Sequence, residues 1–242
     1  MLISFNLSTK ILIINFFYFF LKIPLSIHAF RSIRNEIKIY KKLIDKKFFN
    51  SKYFGILKIH SIFFGFFIPR GTQISQFDKK FINQYVDFFK TYKLKKKASE
   101  ILKLIDLELF IKEHNNENYN RYKDYLKSTE ILATPIHGDL YYKNVIIYKN
   151  KYYLIDLNFY LEDATYYFDL INYKIFSSKY YKNNWFSFFK KHQKKFYKII
   201  NKDYLTMYLL WKVNNDLKYI KKSEFKNNKY KDILKYFFNN LI

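Results

Sequence analysis

Hydrophobic and polar positions divide this chain into a strand-rich first third and a helix-rich remainder. Leu2–Asn6, Ile11–Ile14 and Phe17–Ile23 are short runs of β-branched and aromatic residues with Asn15 as a turn between the last two, a pattern that predicts buried strands. The period then changes. Ile33, Ile37, Tyr40 and Ile44 recur at three- or four-residue spacing, which predicts one helix from Ile27 to Ile44 with a single buried face and Ser26 as its N-cap. Two further strands are expected near Gly55–Ser61 and Phe63–Ile68, closed by Pro69-Arg70-Gly71. Beyond Gly71 the pattern is helical over Phe77–Tyr92, Ala98–Lys112 and Tyr119–Ile131, and Pro135 stops the run. A compact strand–loop–strand unit covers Ile136–Asp156, and helices follow at Asn184–Ile200, Tyr204–Lys222 and Lys229–Leu241. This order predicts an α+β chain with its boundary near Pro69–Gln73: a small sheet-rich lobe at 1–71 and a larger helical lobe at 72–242.

Composition changes that picture only in part. Half of the residues are hydrophobic, which supports a sizeable core and argues against disorder. The 23% aromatic share and the abundance of Lys, Ile and Asn match what an A+T-rich genome encodes, so neither count carries an argument alone. Lys and Arg number 44 against 20 Asp and Glu, a formal charge of +24 that attracts polyanions such as nucleotides, anionic lipid or acidic glycans. The lysines are scattered, with no isolated basic tail of the nucleic-acid-binding kind, and no nucleic-acid partner is expected. The absence of cysteine excludes disulfides and thiolate metal sites. Ile11–Leu21 is apolar but too short to span a bilayer, and Lys22-Ile23-Pro24 offers no signal-peptidase site. A cytoplasmic protein is expected; in basic aromatic helices such as Trp185–Ile200 the plainer reading makes Trp185, Phe188, Phe189 and Phe196 core and the lysines a solvated face, and the alternative is contact with the inner face of an anionic membrane.

The chemistry concentrates in His137-Gly138-Asp139-Leu140-Tyr141-Tyr142-Lys143-Asn144, followed by the apolar strand Val145–Tyr148, a turn at Lys149–Lys151, and the strand Tyr152–Ile155 that delivers Asp156. Two strands of similar length return Asp156 to the neighbourhood of Asn144. Phosphoryl transfer asks for this set of groups. One carboxylate, Asp139, accepts a hydrogen bond from the attacking hydroxyl and orients it, while hard oxygen ligands, an amide at Asn144 and a carboxylate at Asp156, hold magnesium against nucleotide phosphates. Taken singly, Asp139 and Asn144 are ordinary loop residues; it is their joint order between two apolar strands that points to catalysis.

This segment resembles the aminoglycoside phosphotransferase and choline kinase group within the protein-kinase-like fold. That group carries His-Gly-Asp, an Asn five residues past the Asp, and a hydrophobic strand ending in Ile-Asp, with a further Asp-Leu about a dozen residues on. Here these are His137-Gly138-Asp139, Asn144, Ile155-Asp156 and Asp169-Leu170. The resemblance is strong over 136–170 and partial over 11–71. It implies a two-lobed fold with a small antiparallel-sheet N-lobe and a mostly helical C-lobe, and ATP and Mg²⁺ as cofactors. It implies further that Lys22 touches nucleotide phosphates and that Glu36, in the following helix, pairs with it. Phe63–Ile68 should lead into a hinge, and Leu7–Lys10 should form the phosphate loop, with Ser8 and Thr9 beside backbone amides. Leu7–Lys10 contains no glycine, a departure from the protein-kinase loop. His137 and Asp169 are expected to be structural, Asp169 through hydrogen bonds to the catalytic-loop backbone.

For the acceptor, only Glu162, Asp163 and Asp169 follow the metal-binding strand, and with +24 overall the chain suits an anionic sugar hydroxyl, as in bacterial surface-glycan or lipopolysaccharide metabolism, better than a cation. The alternatives are a choline- or aminoglycoside-type kinase, for which Tyr141, Tyr142, Phe159, Tyr160, Tyr166 and Tyr167 supply aromatic faces, and a non-catalytic kinase-like nucleotide-binding protein.

Overall fold

A computed structural model describes residues 2–6, 10–45, 54–62, 65–178, 184–198, 200–218 and 228–240. In chain order the strands and helices are β1 (Leu2–Asn6), β2 (Ile11–Asn15), β3 (Phe19–Pro24), α1 (Ile27–Asp45), β4 (Phe54–Ile56), β5 (His60–Ile62), β6 (Gly65–Pro69), β7 (Thr72–Gln73) and α2 (Lys79–Phe89). They continue with β8 (Lys95–Lys97), α3 (Ala98–Ile101), α4 (Ile105–His114), α5 (Tyr119–Ser128), β9 (Glu130–Leu132), β10 (Thr134–Ile136), β11 (Val145–Tyr148) and β12 (Lys151–Leu154). The last are β13 (Leu161–Ala164), α6 (Tyr166–Phe176), α7 (Trp185–Tyr197), α8 (Lys202–Lys218) and α9 (Asn228–Asn240). The architecture is α+β and protein-kinase-like, with a small antiparallel sheet in the N-terminal part and mostly helices in the C-terminal part.

Two compact units emerge. The first comprises Met1–Thr91, His137–Leu161 and Ser177–Lys179. Its larger sheet has five strands in the order β1-β2-β3-β6-β5, every neighbour antiparallel. Helix α1 lies against it because Ala29, Ile33, Glu36, Tyr40 and Leu43 recur on one face and are buried, and Ser26 caps its start by accepting the Ala29 N–H at 3.1 Å. The predicted strand Gly55–Ser61 is two strands: β4 leaves for a second sheet, β4-β12-β11-β7, and β5 stays as an edge of the first. In the second sheet β4 runs parallel to β12, and β11 pairs antiparallel with both β12 and β7. Helix α2 packs on it through rings, Phe81 against Tyr152 at 5.3 Å and Tyr85 against Phe54 at 5.6 Å. Asp78 caps α2 through the Phe81 N–H and takes a hydrogen bond from the Tyr152 hydroxyl at 3.1 Å, which locks the helix onto the hairpin.

The second unit comprises Tyr92–Ile136, Glu162–Phe176 and Tyr180–Ile242. Its core gathers α4, α5, α6, α7, α8 and α9 around Leu107, Phe110, Phe168, Ile171, Tyr208 and Trp211. The helix predicted over Ala98–Lys112 breaks at Leu102–Leu104, and Asn214 of α8 caps the second piece by accepting the Leu107 N–H at 3.1 Å. The helix predicted over Tyr119–Ile131 ends at Ser128, and Glu130–Leu132 instead pairs as β9 with β8. Among the described residues no helix is long and apolar enough to cross a membrane.

Candidate active site

The catalytic loop is built by local constraints. Gly138 has φ of +83°, and a Cβ there would stand 2.0 Å from the carbonyl oxygen of Phe159, so only glycine fits between the two chain segments. His137 is fully buried behind the loop. Its Nδ1 accepts the Asp139 N–H at 3.2 Å, so the ring proton sits on Nε2, which donates to the Ile155 carbonyl at 2.7 Å. The Ile155 N–H in turn donates to the Asn144 carbonyl at 3.0 Å. These two ties fasten both ends of the loop to the residue immediately before Asp156. The side chain of Asn144 turns inward and donates from Nδ2 to the Asp139 carbonyl at 2.8 Å and, more weakly, to Asp139 Oδ2 at 3.5 Å. Asp139, Asn144 and Asp156 therefore occupy one corner of the first unit.

Asp156 follows β12 in the left-handed conformation, φ 63° and ψ 56°, a rare state for a non-glycine residue that a surrounding structure has to hold in place. The turn aims its carboxylate at Lys22. The Lys22 ammonium is 3.0 Å from Asp156 Oδ1 and 3.0 and 3.1 Å from the two Glu36 oxygens. Lys22 and Glu36 are buried, whereas the Asp156 side chain keeps 47% of its surface open to the cleft. Burial pulls the Lys22 pKa down, but the attraction of Glu36 and Asp156 outweighs it and leaves the ammonium more firmly protonated than an ordinary lysine. Burial also dominates at Glu36 and raises its pKa despite Lys22. At Asp156 burial again raises, yet Lys22, with help from the Asn158 hydrogen bond, reverses the sign and holds the carboxyl below its ordinary range.

A cleft of about 620 Å³ opens over this corner, lined on one side by Ser4, Ile13, Asn15, Phe20 and Lys22 and on the other by Lys143, Asn144, Ile146, Ile155 and Asp156, with Arg70–Gln73 at one end. The lining includes three cations, Lys22, Arg70 and Lys143, and one carboxylate, Asp156. The segment Thr72–Gln73 is fixed by pairing with Ile147 and Ile146, and Gln73 Nε2 reaches the Lys143 carbonyl at 3.4 Å. The oxygens available for magnesium fit a hard cation. Asn144 spends its Nδ2 on Asp139, which leaves its acceptor Oδ1, and Asp156 has a second carboxylate oxygen beyond the one held by Lys22. Among the described residues no cluster of three or more His, Asp or Glu could hold a metal ion.

Ser8 and Thr9 lie outside the described residues. Asp169 is buried in α6, in the second unit. Asp163 is engaged by Lys96 at 3.1 Å. Sequence reasoning missed Asn158, whose amide joins Glu36 to Asp156. It also missed Arg70 and Lys143 as lining cations, which nothing distinguishes from the other basic residues until the cleft is seen.

The chain matches no protein-family model and no curated protein. Its fold is nonetheless that of known phosphotransferases. It is similar to the streptomycin–ATP–APH(2")-IIa ternary complex, with 14% identity, TM-score 0.55, and 98% of this chain and 93% of that one covered. It is similar to a putative fructosamine-3-kinase from Haemophilus somnus 129PT, at 14% identity and TM-score 0.54, covering 100% of this chain and 91% of that one. The choline kinase LicA from Streptococcus pneumoniae aligns at 12% identity and TM-score 0.51, with 99% and 94% covered. The protein thus has the kinase-like fold shared by aminoglycoside phosphotransferases, choline kinases and fructosamine-3-kinase.

Proposed function

We propose that this protein is an ATP- and Mg²⁺-dependent kinase that phosphorylates a hydroxyl of a small molecule or sugar. One observation carries the reading: Lys22 and Asp156, which line a cleft whose cations outnumber its carboxylates, are joined with the buried Glu36 in one ion cluster, and Asn144 in the same lining is bonded to Asp139. In the proposed roles Asp139 accepts the acceptor's hydrogen bond and takes its proton as the oxygen attacks the γ-phosphorus, and the bond from that phosphorus to the β,γ-bridging oxygen breaks to release ADP. Lys22, steadied by Glu36, exchanges Asp156 for phosphate oxygens. Asn144 and Asp156 would hold magnesium, which would neutralise charge on the phosphates. Ser8 and Thr9 are assigned to the phosphate loop. Residues 1–71 serve as the nucleotide lobe and 72–242 as the catalytic and acceptor lobe.

For the acceptor we infer an anionic sugar or glycan intermediate, with the enzyme working in the cytoplasm and, through its basic surface, at the inner face of an anionic membrane. The charge of +24 supports this, as does the shortage of carboxylates after Asp156: Lys96 neutralises Asp163, and Asp169 is buried. The solved structures of this fold carry names that include choline kinase and fructosamine-3-kinase, so those acceptors belong in the same screen. The test is phosphate transfer from labelled ATP to a panel of sugars, acidic glycans, amino alcohols and aminoglycosides, with and without Mg²⁺. Transfer that needs Mg²⁺ and disappears in Asp139→Ala, while nucleotide binding persists, is the expected result. Transfer undiminished in Asp139→Ala refutes the assigned role. Efficient choline or aminoglycoside phosphorylation with acidic glycans ignored refutes the acceptor class alone.

A further inference from the structure

Asn158 lies two residues beyond Asp156 in the tight turn that follows β12, and that turn packs against α1. Its amide is fully used. Nδ2 donates to Glu36 Oε2 at 3.2 Å and to Asp156 Oδ1 at 3.2 Å, while Oδ1 accepts the Ser32 hydroxyl at 3.2 Å. The orientation follows from chemistry: two carboxylates on one side require the NH₂ group there, and a hydroxyl donor on the other suits the carbonyl. Ser32 and Glu36 are one helical turn apart and so share a face of α1. The left-handed turn at Asp156 is what brings the next side chains round to meet that face.

The two carboxylates are therefore bridged twice, by the Lys22 ammonium and by the Asn158 amide. The first bridge is temporary under the proposed function, because Lys22 exchanges Asp156 for phosphate oxygens, while the other Asp156 oxygen is the one that would hold magnesium. Glu36 is fully buried and cannot recruit water as a substitute donor. The bridging group of the second, the Asn158 amide, is uncharged and does not line the cleft, so it is free to persist through that exchange. An aspartate at 158 would be isosteric but would place a third carboxylate around one lysine and remove the shared donor.

We propose that Asn158 is a positioning residue of the nucleotide site, its amide holding Glu36 and Asp156 in place while Lys22 passes from Asp156 to the bound phosphates. The proposal rests on the kinase reading and deepens it. Asn158 acts through the two carboxylates and touches no substrate itself. Losing the amide leaves Lys22 and Asp156 chemically intact but poorly held, so nucleotide binding and metal use fall before the chemical step does.

The test uses the full chain with Asn158→Leu, Asn158→Asp and Ser32→Ala. The last is the mildest, because it removes only the hydroxyl that aims the amide, and it covers the case in which a substitution at 158 fails to fold. Binding of a fluorescent ATP analogue is followed as Mg²⁺ is titrated, with ATP hydrolysis measured in parallel. Asn158→Leu should weaken Mg²⁺-supported binding about tenfold, or ~1.4 kcal/mol, and raise KM for ATP far more than it lowers kcat. Asn158→Asp should weaken binding without metal more strongly than binding at saturating Mg²⁺, a dependence that loss of packing alone does not produce. Ser32→Ala should shift affinity in the same direction by a few-fold. If the wild type binds Mg²⁺–ATP and folded Asn158→Leu and Ser32→Ala bind it equally well, the positioning role is overturned and the kinase reading stands. If the wild type binds no nucleotide at all, both are overturned.

Discussion

Replacing Lys22 with methionine is the sharpest probe of the ion cluster, because it removes charge while keeping the length of the side chain. Lys22 is 7% exposed and Glu36 is fully buried, so the substitution leaves a buried carboxylate without its cation. Removing one member of a buried pair costs ~3–5 kcal/mol. The lower end is expected, because Asn158 still donates to both carboxylates and Glu36 can escape its charge by taking up a proton. About 3 kcal/mol in a chain of 242 residues corresponds to a fall in Tm of roughly 6–12 °C. The loss should depend on pH. Burial already raises the Glu36 pKa above its ordinary 4.5, and without Lys22 nothing of comparable strength opposes it. A folded-state pKa above the unfolded one means the native chain binds the extra proton, so stability improves as pH falls through the folded value. The deficit of Lys22→Met relative to wild type should therefore shrink between about pH 8 and about pH 5, and adding Glu36→Gln should recover part of it at neutral pH. Thermal melts by circular dichroism across that range read all three quantities. A melt at neutral pH within a degree or two of wild type, or a deficit that grows on acidification, refutes the reasoning.

Four further outcomes follow from the site. Asp139→Asn should lower phosphate transfer by roughly 10²–10⁴-fold while changing ATP affinity little, as judged by initial rates and a nucleotide-binding titration. Asp156→Ala should abolish the Mg²⁺ dependence of nucleotide binding, which a titration with and without chelator shows directly. Gly138→Ala should destabilise the first unit by ~2–4 kcal/mol through strain and the clash with the Phe159 carbonyl, visible as a lowered urea midpoint; a wild-type midpoint would mean the loop relaxes freely. Asp156 has a pKa below its ordinary 3.8, so its contribution is present above that value and lost as pH falls through the lower folded value; Asp156→Asn should accordingly flatten the acid limb of the stability curve below about pH 4.

What was legible in the sequence followed from period and motif. The β11–β12 hairpin could be placed because two short apolar strands flank a Lys-Asn-Lys turn in which Lys149 and Asn150 both take positive φ. Helix α1 could be placed because its buried positions fall on a single face. Helix α6 escaped notice for the opposite reason: Tyr166, Phe168, Asp169, Ile171, Asn172, Tyr173 and Ile175 are buried around most of its circumference, and a helix covered on all sides has no amphipathic period to detect. Strand β8 is Lys95-Lys96-Lys97, three residues that read as a solvated charge run until β9 pairs with them. The division of Gly55–Ser61 between two sheets depends on β12, far along the chain, and no local pattern reports that. At the site the acids and amides carrying a spacing signature were visible in advance. Asn158 was not, because its role depends on a backbone turn at Asp156 and on the facing turn of α1.

The parallel pairing of β4 with β12 has a consequence for how the protein is made. Phe54 meets Tyr152, and Gly55 meets Tyr153, across roughly a hundred residues of chain. During synthesis β4 and β7 emerge well before the hairpin that lies between them, so each presents open backbone edges until β11 and β12 have left the ribosome. A nascent chain ending near Thr91 would hold all five strands of the first sheet but only the outer strands of the second, with Phe81 still lacking its Tyr152 partner. The segment that completes the sheet is the same one that carries Asp139, Asn144 and Asp156. Completion of the second sheet and acquisition of these three groups are thus a single event, and until it occurs β4 and β7 keep open edges able to pair with another chain.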